Sequence, residues 1–434
     1  MTHLAKSEVS RGNGIRCLWI ARYIPFPMEG GAQVYSANLS QSLAKAGAFV
    51  RFMGLGTAAA VPESAMGVEW VSVLGGKRNA AAAALSALPL AAAIDATKTY
   101  RQMLETQLQE SWDAIVFDGY GAGWALDRCV AYCRDRRTHR PVLVHVSHNN
   151  EELLWRAMGR EARGSALKRL ALRRNASKVA VLERRIVHAV DLLTTITDED
   201  RSTLGAVVVR GRSLSLTPGY SGPVLRARRI STATPRRVII MGSFQWVVKQ
   251  ENLRRFLEIA DPVFEKQGIE LDVVGDIPKV LLAALRDRCR ATYFHGFAAD
   301  SAPYLDRARI GIVPESIGGG FKLKFLDYIF GRVPVATVSQ AVAGLSEELR
   351  LTMLKNDTLA GLVDDIVTHI DRIDDLNGMQ ERAFALGNAQ FDWKVRGERF
   401  LEAIAAIREC ATDGFGSGGR PHEASVPSSS LAVG

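Results

Sequence analysis

The chain has 434 residues, 47% hydrophobic and 23% charged, with 55 Lys+Arg against 46 Asp+Glu and a net charge of +9. Such a balance builds substantial cores, so it excludes wholesale disorder and a small disulfide scaffold, and the length favours two domains. Five scattered cysteines (Cys17, Cys129, Cys133, Cys289, Cys410) form no C-x-x-C pair. This argues against a zinc site or a disulfide framework and suits a reducing cytosol, while the positive charge favours an anionic partner.

Residues 1–13 are polar, lack the apolar core of a signal peptide, and are expected to be disordered. Beyond them, apolar runs alternate with helical stretches. Strands are predicted at 15–20, 50–53, 114–117, 142–146 and 192–196, then at 238–241, 271–274, 291–294, 310–313 and 333–336. Most are continuous apolar runs, the pattern of parallel strands covered by helices on both faces. A helix is predicted over 31–46, with Tyr35, Leu39, Leu43 and Ala46 on one face and Gly47 as its stop. The Ala-rich run 80–94 is too short to span a bilayer, is broken by Pro89, and reads as core helix. A first α/β domain over 14–217, a Pro/Gly/Ser/Thr-rich linker at 218–235 and a second α/β domain over 236–390 follow from this pattern. An amphipathic terminal helix at 391–411 and a disordered tail at 412–434 complete the chain.

Three segments carry chemistry. In the first, a strand ends at Val313, the glycines Gly318, Gly319 and Gly320 follow, and a helix is predicted to open at about Phe321. Backbone N–H groups at a helix start favour an anion. Lys322 and Lys324 stand in the predicted first turn, where cations oppose the helix dipole; a sequence accepting that conflict serves a ligand. Lys324 would meet a pyrophosphate, and Asp327, three residues on and on the same face, could accept from sugar or ribose hydroxyls. The competing reading is a solvated ion pair behind a glycine turn. The second segment is another strand–loop–helix unit with Gly30 and Gly31 at the loop end, open to ligand contact or to tight strand–helix packing. It lacks the dinucleotide and P-loop fingerprints. In the third, His148 and Asn149 stand at the carboxyl end of the strand at 142–146, where open α/β sheets bind ligands. His145, inside that strand, reads as a satisfied core histidine. Asp198-Glu199-Asp200 mimics a metal pair but reads as a helix start capped by Thr197 or Asp198, so no metal site is predicted.

Between 156 and 185 ten basic residues face only Glu161 and Glu183. Leu167, Leu170 and Ala171 have helical spacing, with Leu182 and Ile186 near the same side. A solvated face, an anionic membrane surface and, last, a nucleic-acid patch are the readings; no recognition motif supports the last.

In order, RYIPFPMEGGAQVYSANLSQSLAKAG, HNNEELLW, TITDED, GSFQWVVKQENLRRFLE, DVVGD, FHGF, SIGGGFKLKFLDYIFGRVPV and QFDWKVRGERFLEAI resemble the elements of the family 4 retaining glycosyltransferases. The resemblance runs from Ile15 to about Ile407. It implies a GT-B fold: two Rossmann-like domains of an α/β protein facing a cleft, with a C-terminal helix crossing back to the first domain. It implies retaining transfer of a sugar from a nucleotide-sugar donor to a glycan or lipid-linked acceptor, in polysaccharide or envelope glycan synthesis. His148, Lys322 and Lys324 would be catalytic, and Gly30, Gly31, Asn149, Lys249, Gly318, Gly319, Gly320, Phe321 and Asp327 would bind donor, with no metal or cofactor. The protein would be cytoplasmic, peripheral on the inner membrane face through 156–185, with no nucleic-acid partner. There are departures. Asp327 stands where many members have glutamate, the residue eight earlier is Gly319, and Glu315 lies too far upstream to replace it. Ser243 follows Gly242 where a basic residue is usual, which leaves Lys249 as the nearest. A GT-B-type sugar-nucleotide epimerase and a non-catalytic anion- or nucleic-acid-binding protein are the alternatives.

Overall fold

The computed structural model describes residues 14–416 except 29, 57–60, 63–64, 66, 76–77, 137–138, 162–164 and 206–210. The expected disordered N-terminus and the tail from 417 onward lie outside the described residues. The first sheet comprises β1 (Arg16–Tyr23), β2 (Phe49–Leu55), β3 (Val68–Val73), β4 (Ala114–Asp118), β5 (Val142–Ser147), β6 (Leu192–Thr195) and β7 (Arg212–Ser215). All its pairs are parallel, in the order β3-β2-β1-β4-β5-β6-β7. The second comprises β8 (Arg237–Met241), β9 (Glu270–Val274), β10 (Thr292–Gly296), β11 (Ile310–Val313), β12 (Val335–Val338) and β13 (Leu354–Asn356). It is also wholly parallel, in the order β10-β9-β8-β11-β12-β13. In each sheet the strand order reverses beside the first strand, which opens a crevice at the strands' carboxyl ends.

The three strands absent from the sequence reading, β3, β7 and β13, are all sheet edges. Their outward halves stay wet, so they carry no continuous apolar run: β3 reads VEWVSV and is buried only at its ends. The strand expected at 333–336 begins two residues later, past Pro334, which has no N–H for the ladder.

Alternate residues of β1 feed two cores. Trp19 packs with Phe52 on one face, while Leu18 and Ile20 join Phe117 and Trp112 on the other. The second sheet has its own core around Phe256, Phe264, Phe325 and Tyr328. The helix Trp393–Gly416 returns to the first domain and ends five residues later than expected, so residues 412–416 belong to it rather than to a disordered tail. Its Phe400 meets Trp19 edge-on at 6.0 Å, and Phe400 and Ile404 are fully buried. Each such side chain contributes about 1.5–3 kcal/mol. Gly397 lets this helix touch Gly31–Lys45, since a Cβ there would lie 2.1 Å from the Ser42 carbonyl oxygen. Two parallel Rossmann-like halves with a C-terminal helix packed back on the first are the GT-B architecture.

Two helical expectations change. The run 80–94 forms two short helices, Ala80–Ala84 and Leu90–Asp95, with Pro89 at the second N-cap, and only Ala83 of the first is buried. The first helix is therefore largely surface, while the second buries Ala92 and Ala93 and joins the core as expected. The basic segment forms the helices Glu151–Glu161 and Ala166–Ala189 rather than one stripe. Leu182 and Ile186 face the core while Leu167 and Leu170 face solvent. Among the described residues no helix is long and apolar enough to cross a membrane.

Candidate active site

Parallel strands end together, so the polar residues just past them converge. On the first domain β4 ends in Asp118 and β5 leads into His148. His148 Nε2 donates to Asp118 Oδ1, and Asp118 Oδ2 accepts from Trp19 Nε1 at 2.8 Å. The carboxylate can only accept, so in the neutral ring the proton sits on Nε2 and Nδ1 carries a lone pair. Nδ1 is buried and has no hydrogen-bond partner among the described residues. Burial works against the imidazolium, but the Asp118 charge and hydrogen bond outweigh it and raise the His148 pKa. Tyr35 stacks edge-on against the ring at 5.5 Å, which fixes its plane. His145 is a core residue as expected: its Nδ1 lies 3.2 Å from the Phe117 carbonyl, and burial pushes its pKa down to about 4.

His148, Asn149 and Asp118 line a cavity of about 370 Å³ with Arg22, Tyr120 and Glu151. Burial raises the Glu151 pKa against the hydrogen bond from Asn149. A more open hollow of about 580 Å³ is lined by Arg78, Thr97, Lys98, Arg101 and Glu105. The smaller cavity is the candidate site, because convergent polar groups, not volume, define a site.

On the second domain three lysines lie near one another, and one of them pairs with Glu315. Glu315, just past β11, is 6% exposed and pairs with Lys324 through Oε1, while its Oε2 has no partner among the described residues. Burial lowers the Lys249 pKa, the Lys324 charge adds to that, and Glu315 opposes it. Burial likewise pushes Lys322 down to about 8, with Glu315 opposing and Lys324 and Lys249 assisting. Lys249 comes from the start of the helix Val247–Gln267, after β8. Gly242 leaves room for Lys324, since a Cβ there would lie 3.5 Å from its Nζ, and Gly275 lets the ends of β8 and β9 approach, since a Cβ there would lie 1.7 Å from the Gly242 carbonyl oxygen.

The glycine loop differs from expectation in two respects. The helix begins at Lys324 rather than about Phe321 and ends at Phe330, so its dipole is small and Lys322 precedes it. Lys322 Nζ turns back to donate to the carbonyls of Gly319 at 2.6 Å and Gly320 at 2.9 Å, with Gly318 at 3.4 Å. The loop therefore offers carbonyls to a cation as well as N–H groups to an anion. Asp327 lies near Tyr220 of the linker, whose hydroxyl donates to the Pro223 carbonyl at 3.2 Å, and burial pushes the Asp327 carboxyl up to about 6.

The two halves meet at this loop. A Cβ on Gly320 would lie 2.4 Å from Asn149 Oδ1, and Gly320 has φ +74°, so space and backbone both demand glycine. Gly31 faces Leu323, the distance from its ideal Cβ to Leu323 Cδ1 being 3.4 Å; Gly30 immediately precedes that helix. Phe321 packs against both domains' cores and lies 5.8 Å from Phe391, so its side chain serves the domain contact. Thr197 caps the helix Asp198–Gly205 by accepting from Asp200 N at 3.0 Å, and Glu199 crosses to Arg350 at 3.0 Å. The acidic triplet is thus a helix start and a domain tie.

Sequence reasoning missed Asp118, Glu315 and Tyr220. Asp118 was findable, since it ends β4 as His148 follows β5. Glu315 and Tyr220 are partners by tertiary approach, and no spacing signals them.

Residues 235–372 match the family described as Glycosyl transferases group 1. No curated protein matches the chain. Among solved structures, Anabaena HepE in complex with UDP-glucose is 14% identical with a TM-score of 0.59, over 90% of this chain and 100% of that one. WaaG, a glycosyltransferase involved in lipopolysaccharide biosynthesis, is 17% identical with a TM-score of 0.59, over 90% and 99%. The α,α-trehalose 6-phosphate synthase of Burkholderia multivorans is 14% identical with a TM-score of 0.59, over 92% and 99%. At such identities the likeness is one of fold, and that fold is GT-B.

Proposed function

We propose that this protein is a retaining glycosyltransferase that moves a hexosyl group from a nucleotide-sugar to a glycan or lipid-linked acceptor in polysaccharide or envelope glycan synthesis. The observation that carries the reading is the Lys324–Glu315 pair with Lys322 folded onto the adjacent glycine loop and Lys249 nearby, across the cleft from the His148–Asp118 pair. Lys324 lies close enough to Lys322 and Lys249 to depress both, and such a cationic cluster at the strand ends suits a diphosphate. As the glycosidic C–O bond breaks, negative charge grows on the diphosphate. Pre-placed cations stabilise it there without reorganisation. HepE has been crystallised with UDP and with UDP-glucose, which supports a nucleoside diphosphate sugar as the donor class.

In this reading Lys324 and Lys322 meet the phosphates, with Lys249 completing the cluster, and the Gly318–Gly320 loop lies against them. Asp327 and Tyr220 border the nucleotide. His148, oriented by Asp118, lies against the sugar, and Asn149 with Gly30 and Gly31 walls the cleft. The acceptor enters the cavity beside Glu151 and Tyr120. Retention rests on the family resemblance, as do the absence of a metal requirement and a cytoplasmic site of action at the inner membrane face.

Donor screening by nucleotide release, with and without acceptor extracts, tests the proposal. Turnover should depend on acceptor and fall at least ~100-fold in Lys324→Ala with the fold intact. Consumption of donor without any acceptor would favour an epimerase. Unchanged turnover in Lys324→Ala would overturn the assignment.

A further inference from the structure

We propose that the hairpin of helices Glu151–Glu161 and Ala166–Ala189, with the turn at Leu85, docks on an anionic lipid bilayer and receives a membrane-borne acceptor from it. Between 166 and 175 the second helix buries no residue; its core contacts begin at Ala176. Leu167 is 76% exposed and Leu170 64%. Arg174 lies seven residues beyond Leu167 and so shares its stripe. Lys178 donates to the carbonyl of Ala84 at 2.9 Å, and Asn175 Oδ1 accepts from Leu90 N at 2.8 Å. These bonds set Leu85, which is 85% exposed, beside the same stripe.

Charge decides the kind of surface. Arg156, Arg184 and Arg185 are held in ion pairs, whereas Arg160, Lys168, Arg173 and Arg174 have none among the described residues. A merely solvated face would turn its leucines inward, and a nucleic-acid patch has no use for them. A bilayer takes both, leucines into the acyl boundary and basic heads among anionic lipids.

The hairpin is rooted at the cleft. Glu151 begins its first helix and lines the cavity, and Glu183 of the second helix accepts from the N–H groups of Glu151 at 2.9 Å and Glu152 at 2.8 Å. One helix of this length, roughly 15 Å, separates the cavity from the hairpin tip. A polar group in the cavity can therefore stay attached to a lipid. This last step rests on the transferase reading; the docking surface does not.

The full-length protein is sedimented with phosphatidylcholine vesicles, with and without about 30% phosphatidylglycerol, at low and high salt. Binding is expected only with the anionic lipid and should weaken with salt. The double variant Leu167→Ser/Leu170→Ser keeps the net charge and should bind about tenfold less or weaker still. Lys168→Glu/Arg174→Glu should lose salt-sensitive binding. Both variants should keep nucleotide release with a soluble acceptor, which separates failure of this proposal from failure of the transferase reading. Absence of wild-type binding, or leucine variants that bind like wild type, would overturn it. So would tighter binding to single-stranded RNA than to vesicles at equal salt.

Discussion

Lys322 is the most telling residue to perturb, because its protonation and its ligand compete. Its ammonium has been pushed down to about 8 by burial and by Lys324 and Lys249, with Glu315 opposing. A diphosphate at the cluster would draw it back toward the ordinary lysine range, so binding should take up a proton. At pH 8 about half of the free protein lacks that proton, and uptake should approach ~0.5 proton per nucleoside diphosphate bound. If the ordinary value is restored in full, the coupling is about 3 kcal/mol at most. Affinity should then fall by up to about tenfold per pH unit above 8. Isothermal titration with UDP in two buffers of different ionisation enthalpy, at pH 7.5 to 9, reads the uptake directly. Lys249 is pushed down as well and adds to the signal, so Lys322→Arg is the isolating variant: arginine stays charged throughout, and its slope should be shallower. Equal uptake in wild type and Lys322→Arg, or none in wild type, would refute the reasoning.

Other perturbations test neighbouring parts of the site. Gly320→Ala forces a side chain into Asn149 at a positive φ; it should cost about 1–3 kcal/mol in chemical denaturation, partly recovered by adding Asn149→Ala. Asp118→Asn leaves the His148 ring in place but removes the charge that raises its pKa, so any histidine-dependent limb of the pH–rate profile should move to lower pH. Glu183 is 1% exposed, and burial pushes it up to about 7 despite its two backbone hydrogen bonds. A carboxyl raised in the folded state contributes stability that is fully present below its unfolded value and lost as pH rises through about 7. Glu183→Gln should therefore flatten the melting temperature between pH 4.5 and 7, the window between the unfolded and folded values.

What the sequence discloses follows from what each strand touches. β1, β4, β5, β8 and β11 are covered on both faces, so they read as apolar runs and their order yields the fold. The edge strands β3, β7 and β13 carry half-wet patterns and escape notice. The first half of the Ala-rich stretch misleads because alanine favours helix whether or not anything covers it; there little does. At the site, His148 and the lysines are legible because each follows directly on a strand end or glycine loop. Their partners are not. Glu315 stands seven and nine residues from the two loop lysines and far from Lys249, and Tyr220 reaches Asp327 from the linker.

Glu315 also changes the meaning of the two cations. Read along the sequence, Lys322 and Lys324 oppose a helix dipole, and the conflict itself points to a ligand. In the folded chain the helix starts only at Lys324 and is short, so that conflict is slight. The larger tension is among the lysines: Lys324 depresses both Lys249 and Lys322, while its own partner Glu315 keeps a spare buried oxygen. Such crowding is tolerable because the surrounding frame is stiff: Phe325, Leu326 and Tyr328 of the same helix are fully buried, and the Tyr328 hydroxyl accepts from Met241 N at 3.0 Å, tying it to β8. Destabilisation is thus confined to flexible ammonium tips on a rigid base. Replacing Glu315 by Gln should test that separation. It should lower the pKa of Lys322 further and weaken diphosphate binding at pH 8, while the melting temperature falls far less than for Tyr328→Ala. A Glu315→Gln protein that melts as early as Tyr328→Ala would mean that the carboxylate holds the fold, not the charge of the lysines.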